Sequence, residues 1–274
     1  MLQPRHSSQS NRPPSPNLDE AGSGYTLDKT AAARVSAAPD VLDWLRGLVS
    51  VAFVLLLPML IIGTSVRTVF GDRNFMLQGF RDNQVGLTTG LDDPQLQRVA
   101  DAFIAYFQAP PGQLQMEVTA FGQSRPLFND REIAHMQDVQ ALVQFFFRMQ
   151  IVAAVVVLLR LGVTFALDRD GVPLGREMLI SVGLMLVAIA IVGALAVTNF
   201  DAFWTLFHQV AFRNGDWQFD PERDYLIMLF PEPFWFAGTI RFVTLIAAQT
   251  VVVALIGAAL VLSPRVLGAA NRSN

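Results

Sequence analysis

Three stretches of this chain reach twenty positions or more without a charge: Gly47–Val66 (20 residues), Met178–Thr198 (21) and Phe242–Pro264 (23). A helix needs roughly 20 apolar residues to cross about 30 Å of hydrocarbon. Within that layer the helix satisfies every backbone N–H and C=O internally. A fourth stretch, 141–167, is interrupted by Arg148 and Arg160, yet Ile151–Leu159 is continuously apolar and both arginines sit close enough to an interface to snorkel. The low charged fraction, 16%, agrees with four membrane crossings. The expected fold is an α-helical integral membrane protein of four transmembrane helices, 41–68, 141–167, 178–199 and 237–264, with a small extracytoplasmic α+β cap. The remaining segments are a tail at 1–40, the cap at 69–140, a loop at 168–177, an interfacial segment at 200–236 and a C-terminus at 265–274.

Four crossings put both termini on one side, and Lys/Arg density says which. With termini inside, the inner segments hold eight basic residues in 63 positions and the outer ones seven in 109. The denser side faces the cytoplasm, so the expectation is a multi-pass protein of a bacterial plasma membrane with both termini cytoplasmic. Trp44 falls at the inner end of the first span and Trp204, Trp217 and Trp235 on the outer side, where interfacial tryptophans belong. Ser7–Asn17 is Ser/Pro-rich without an apolar period and reads as disordered, leaving the first span as an uncleaved signal-anchor. There is no cysteine, which excludes disulfides and thiolate chemistry. A net charge of −3 gives no reason to expect nucleic-acid binding.

Within the cap, Pro94–Gln108 places Leu96, Val99, Phe103 and Phe107 at helical spacing, and Ala109–Gly112 (APPG) stops the helix. Leu114–Phe121 alternates like a strand, and FGQSRP turns away from it. After the third span, Asp201 can cap a helix running to about Arg213, ended by Asn214-Gly215. Pro231 and Pro233 suggest an extended approach to the last span.

The run LFNDREIAHMQDV, 127–139, carries the first candidate chemistry. Asn129 with Glu132 has capping-box spacing, so a helix starts at about Asp130 and continues into the second span. His135 and Asp138 are three apart and share a face, where a carboxylate can orient an imidazole. His135 precedes an inward span and His208 follows the next outward one, so both lie on the same membrane surface whichever way the chain is inserted; His6 lies on the other. Plainer readings stand beside these. Glu132 can be a cap alone, Asp138 a solvated charge and each histidine structural. Asp224 and Glu232 face the same compartment and can join a shared site. Arg148 and Arg241 lie near outer span ends, where they either snorkel or bind a lipid phosphate or carbonyl.

Other chemistries lack their signatures. There is no HExxH, Cys/His cluster or carboxylate-rich metal constellation, although two histidines and some acids can hold zinc. No Gly-rich phosphate loop appears, and Ser124 has no GxSxG context. An enzyme built this way would use histidine for proton transfer, with no metal or cofactor called for.

The LFNDREIAHMQDV run, the later FHQVAF followed by Trp217–Pro231 (W-x-F-x-P-x-x-D-Y-L-I-x-L-F-P), and TGLDDPQLQRVADAFIAYF upstream resemble the lipoprotein intramolecular transacylase (Lit) family across about Val41–Pro264. The resemblance implies a four-span membrane acyltransferase. It would move the sn-2 acyl chain of a diacylglyceryl lipoprotein in the outer leaflet onto the lipoprotein's N-terminal cysteine amine, leaving a lyso-form lipoprotein. His135 and His208 would be the catalytic pair, with Asp138 orienting His135; Glu132, Arg131, Asp224, Arg148 and Arg241 are the expected substrate-binding residues. The rivals are another acyltransferase acting on a lipid ester, such as a phospholipid, and a non-catalytic membrane protein that binds lipid or a partner.

Overall fold

The structure, a computed structural model, describes residues 41–212 and 214–270; the tail expected to be disordered, 1–40, lies outside them. The first long helix, α1, runs Val41–Phe70. Two short helices that the sequence reading did not anticipate follow, α2 (Arg73–Asp82) and α3 (Val85–Thr89). Asp72 caps α2 by accepting from the Phe75 N–H, and Met76 and Phe80 form its buried stripe. Helix α4 spans Asp93–Gln108, with Asp92 as N-cap and Pro94 in its first turn, where a missing N–H costs nothing. The strand expected at 114–121 is shorter, β1 at Glu117–Ala120, and FGQSRP does more than turn away: it returns as β2, Gln123–Pro126, antiparallel to β1. Phe121 and Gly122 both have positive φ, 50° and 83°, the two-residue turn whose twist suits a tight hairpin.

Helix α5 runs Asp130–Val163 and closes in a π-turn, Thr164–Asp168. Its capping box is complete, since Asn129 accepts from Glu132 N–H while Glu132 accepts from Asn129 N–H. Helix α6 spans Val172–Thr198, so it begins inside the expected loop, with Pro173 in its first turn. Helix α7, Phe200–Ala211, is capped by Asn199 rather than Asp201, because the Asn199 side chain already accepts from Ala202 N–H. A short α8, Tyr225–Leu229, precedes α9, Glu232–Ala270. Pro233 therefore sits in the first turn of α9 instead of extending the approach. Four of these helices, α1, α5 with its π-turn, α6 and α9, are long and apolar enough to cross a membrane.

Helix α1 touches all three of the others. Phe53 and Leu57 pack with Leu174 and Met178 of α6, Ile61 with Met185 of α6 and Ile246 of α9, and Gly63 lies against Gln150 of α5. Helices α6 and α9 cross at Gly175 and Gly257, where a Cβ on Gly175 would stand 2.7 Å from the Gly257 carbonyl oxygen. At the end of the bundle away from the histidines, buried Arg160 donates to both oxygens of Glu177 (2.7 and 2.9 Å) and to Thr164 Oγ1 (2.6 Å). That pairing is what makes an arginine tolerable among transmembrane helices. At the histidine end an aromatic core fastens the small elements to the bundle: Phe103 of α4 meets Phe128 at 5.9 Å and Phe230 at 4.8 Å, edge to face.

Candidate active site

The first turns of α5 precede its apolar run, which begins at about Ala141. Glu132, His135, Met136, Gln140 and Val143 make up its buried stripe, so capping and periodicity together aim His135 inward. His208 lies near the end of α7, and its ring Nδ1 is 2.8 Å from the Trp204 carbonyl oxygen one turn back. A carbonyl only accepts, so Nδ1 carries the proton and the lone pair is on Nε2. The two imidazoles stack at 5.9 Å between centroids, 25° apart in plane.

Aromatic rings wall the pair. Phe212 (4.9 Å) and Phe219 (5.4 Å) present edges to His135, while Trp204 (4.6 Å), Trp217 (4.9 Å), Phe207 (5.2 Å) and Phe212 (5.5 Å) surround His208. Both imidazoles are about 95% shielded from solvent, at 5% and 6% exposure. Burial pushes the His135 pKa from 6.5 to about 4; the neighbouring His208 adds to that and the Asp138 charge opposes it. Burial also lowers His208, against the opposing pull of the Trp204 carbonyl. Both are neutral at physiological pH. His135 Nδ1 is fully buried and has no hydrogen-bond partner among the described residues. An orphaned ring nitrogen costs about 1–3 kcal/mol, and here it sits beside a second imidazole with a free lone pair.

The other residues singled out from the sequence have different work. Glu132, 1% exposed, gives one oxygen to Asn129 N–H (2.8 Å) and the other to Leu226 N–H (2.6 Å). Burial raises its carboxyl, and those two N–H groups oppose the rise. Asp224 accepts from Asn129 Nδ2, from Arg131 and from Asp220 N–H. Burial would raise Asp224, but these donors outweigh it and hold the carboxyl below the ordinary range. Arg131 also lies over the Phe219 ring at 5.4 Å. Asp138 accepts from the Asn214 side chain at 2.9 Å and makes no hydrogen bond to His135; its effect on the imidazole is through charge. These contacts tie the segment between α7 and α8 to the start of α5 at both ends and lay Phe212, Trp217 and Phe219 over the histidines. Arg241 pairs with Asp72 and fastens α9 to the cap. Arg148 is exposed and has no ion-pair or hydrogen-bond partner among the described residues. Glu232 opens α9 and is exposed.

Sequence reasoning missed Asn214, the Trp204 carbonyl and the wall formed by Phe212, Trp217 and Phe219. Trp217 and Phe219 stand in the W-x-F pattern, which signals an ordered segment without saying what it covers. Among the described residues no three of His, Asp and Glu gather in a way that holds a metal ion.

The family model for "Lipoprotein intramolecular transacylase Lit" matches residues 51–235, which include both histidines. The chain is 26% identical over 196 residues to an uncharacterized protein of Aquifex aeolicus (strain VF5), covering 72% of this chain and 87% of that one. Its fold is similar to the membrane-integral lipoprotein intramolecular transacylase Lit from Bacillus cereus, with a TM-score of 0.69 at 16% identity over 81% of this chain and 98% of that chain. Two further structures of the Bacillus cereus protein, each with one histidine replaced, give a TM-score of 0.64 at 16% identity.

Proposed function

Because the chain belongs to the lipoprotein intramolecular transacylase (Lit) family, we propose that it moves the sn-2 acyl chain of a diacylglyceryl lipoprotein to the α-amine of that lipoprotein's N-terminal cysteine, using His135 and His208. The carrying observation is the pair itself: two neutral, buried imidazoles stacked at 5.9 Å, one with a buried nitrogen that nothing else engages.

The reaction is ester aminolysis. The substrate ammonium gives a proton to His208 Nε2, whose lone pair is fixed by the Nδ1–H bond to Trp204. The freed amine attacks the ester carbonyl carbon and the C–O bond to glycerol breaks. Of the two protons the ammonium loses, one ends on the glycerol oxygen and the other leaves to solvent. His135 faces the reacting ester and hydrogen-bonds the developing oxyanion or the departing oxygen. Ester and amine belong to one molecule, so the aromatic walls need only hold it folded back on itself, a step worth orders of magnitude in rate. Asp138, Glu132, Arg131 and Asp224 act by positioning. The histidine end faces away from the cytoplasm of a bacterial plasma membrane in this reading, as the Lys/Arg distribution favours.

Mass spectrometry of lipoprotein N-terminal peptides from cells expressing the chain tests this. The expected product has one acyl chain shifted from glycerol to the cysteine nitrogen at unchanged mass, absent with His135→Gln and His208→Gln. Unchanged N-termini on a diacylglyceryl substrate, with well-expressed wild-type protein, would overturn the proposal.

A further inference from the structure

A second polar feature lies nearer the middle of the bundle than the histidines. A cavity of about 260 Å³ opens where α1 ends, lined by Arg67, Phe70, Ile104, Phe107, Gln108 and Phe147. Its one charge is Arg67, the first residue after the charge-free run Gly47–Val66. Arg67 Nε donates to Gln150 Oε1 at 2.9 Å, and the guanidinium lies 4.0 Å from the Phe147 ring centre. Those two contacts fix the plane of the guanidinium and leave both terminal nitrogens without a hydrogen-bond acceptor; among the described residues no carboxylate lies within ion-pair distance. Arg241, by contrast, is neutralised by Asp72.

Arg67 also suits the C-terminal end of α1, where a cation meets free carbonyls. That role does not call for a cavity or a fixed plane. A rigid fork of N–H donors recognises a phosphate in two-point fashion, and three phenylalanines around it suit the glycerol and first methylenes of a lipid. Arg67 follows directly on the charge-free run of α1, which ends at Val66, so its charge stands at the end of that run. Gln150 lies fifteen residues beyond His135 on α5, roughly 22 Å along the helix axis at 1.5 Å per residue. The cavity is therefore separate from the histidine chamber, and a diacylglyceryl group, which has no phosphate, is not its match.

We propose that the Arg67 cavity binds the phosphodiester of a phospholipid from the leaflet on the histidine side, one lipid per chain. The inference does not depend on the transacylase reading. Native mass spectrometry of the full chain released from detergent tests it with three probes: dioleoyl phosphatidylglycerol, dioleoylglycerol and millimolar inorganic phosphate. Wild type is expected to retain one phosphatidylglycerol and no dioleoylglycerol, and inorganic phosphate should not displace the lipid. Arg67→Gln should lower occupancy about tenfold, the loss of one charge-assisted contact, and Arg67→Lys by less. Arg98→Gln, which removes an exposed arginine of α4 that does not line the cavity, should change nothing. Equal retention by Arg67→Gln, equal loss with Arg98→Gln, or equal binding of dioleoylglycerol would overturn the site. Displacement by inorganic phosphate would overturn the lipid as its source. Should Arg67→Gln fail to fold, the three wild-type probes and Arg67→Lys still decide.

Discussion

The burial of His135 makes stability fall on mild acidification by an amount that can be worked out. Its imidazole is 5% exposed and its pKa is lowered from 6.5 to about 4 in the folded chain. A folded pKa below the unfolded one means that the unfolded chain takes up the proton first. The contribution of neutral His135 is complete above about pH 6.5 and is lost as pH falls from there towards 4. At pH 5 the unfolded imidazole is almost fully protonated and the folded one only about a tenth. At 1.36 kcal/mol per pH unit, His135 alone then removes about 2 kcal/mol of stability between pH 7 and pH 5. His208 acts with the same sign, and Glu132, whose pKa is raised, acts with the opposite sign. The difference between wild type and His135→Gln cancels both. Reversible unfolding by dodecyl sulfate in mixed micelles, followed by far-UV circular dichroism at pH 7, 6 and 5, measures it. Asp138→Asn keeps an acceptor for Asn214 and removes a charge that favours protonated His135, but the folded imidazole is already about nine-tenths neutral at pH 5, so its loss on acidification should match that of wild type to within about 0.1 kcal/mol. If wild type and His135→Gln lose equal stability from pH 7 to 5, the imidazole is solvated and the closed chamber is wrong.

Glu132→Ala leaves the buried N–H groups of Asn129 and Leu226 without acceptors and should cost about 2–4 kcal/mol, measured in the same micelles; a variant as stable as wild type would refute its role as a tie. The pH–rate profile of transacylation should rise with deprotonation of the substrate amine near about 7.7–8.0, with no break at 6.5, since both histidines titrate lower. An inflection at 6.5 in single-turnover assays would show an imidazole open to water. Gly175→Ala should destabilise by about 1–3 kcal/mol, because the new Cβ meets the Gly257 carbonyl. Gly183→Ala on the same helix has nothing within 4 Å and should be neutral or slightly stabilising.

What the sequence made legible was whatever a single segment must satisfy by itself. The crossings were readable because hydrocarbon forces each helix to close its own hydrogen bonds, and the start of α5 because Asn129 and Glu132 are partners three residues apart. The buried stripe of α4 followed from its period in the same way: Leu96, Val99, Phe103 and Phe107 are all buried. Helix α2 was within reach, with Asp72 before a Met76/Phe80 stripe, but ten residues, half of them polar, give a weak pattern. Asp201 and Asn199 are both able to cap, and only the end of α6 decides between them.

The candidate site was legible by half, for a related reason. Membrane parity places His135 and His208 at one surface but cannot give 5.9 Å, which depends on how α7 folds back over α5. The acids were harder still. Glu132 and Asp138 look like partners for chemistry on a helix face, yet beyond the local cap between Glu132 and Asn129 their contacts lie 94 and 76 residues away, at Leu226 and Asn214. Nothing in local spacing encodes such a pairing. The acceptor that orients His208 is a backbone carbonyl, which every residue owns and no motif marks. With Glu132, Arg131, Asp224 and Asp138 all committed to holding the covering segment, the proposed reaction assigns proton transfer to the two imidazoles. A loss at any of these ties should therefore act on the geometry of the chamber rather than on the protons that move within it.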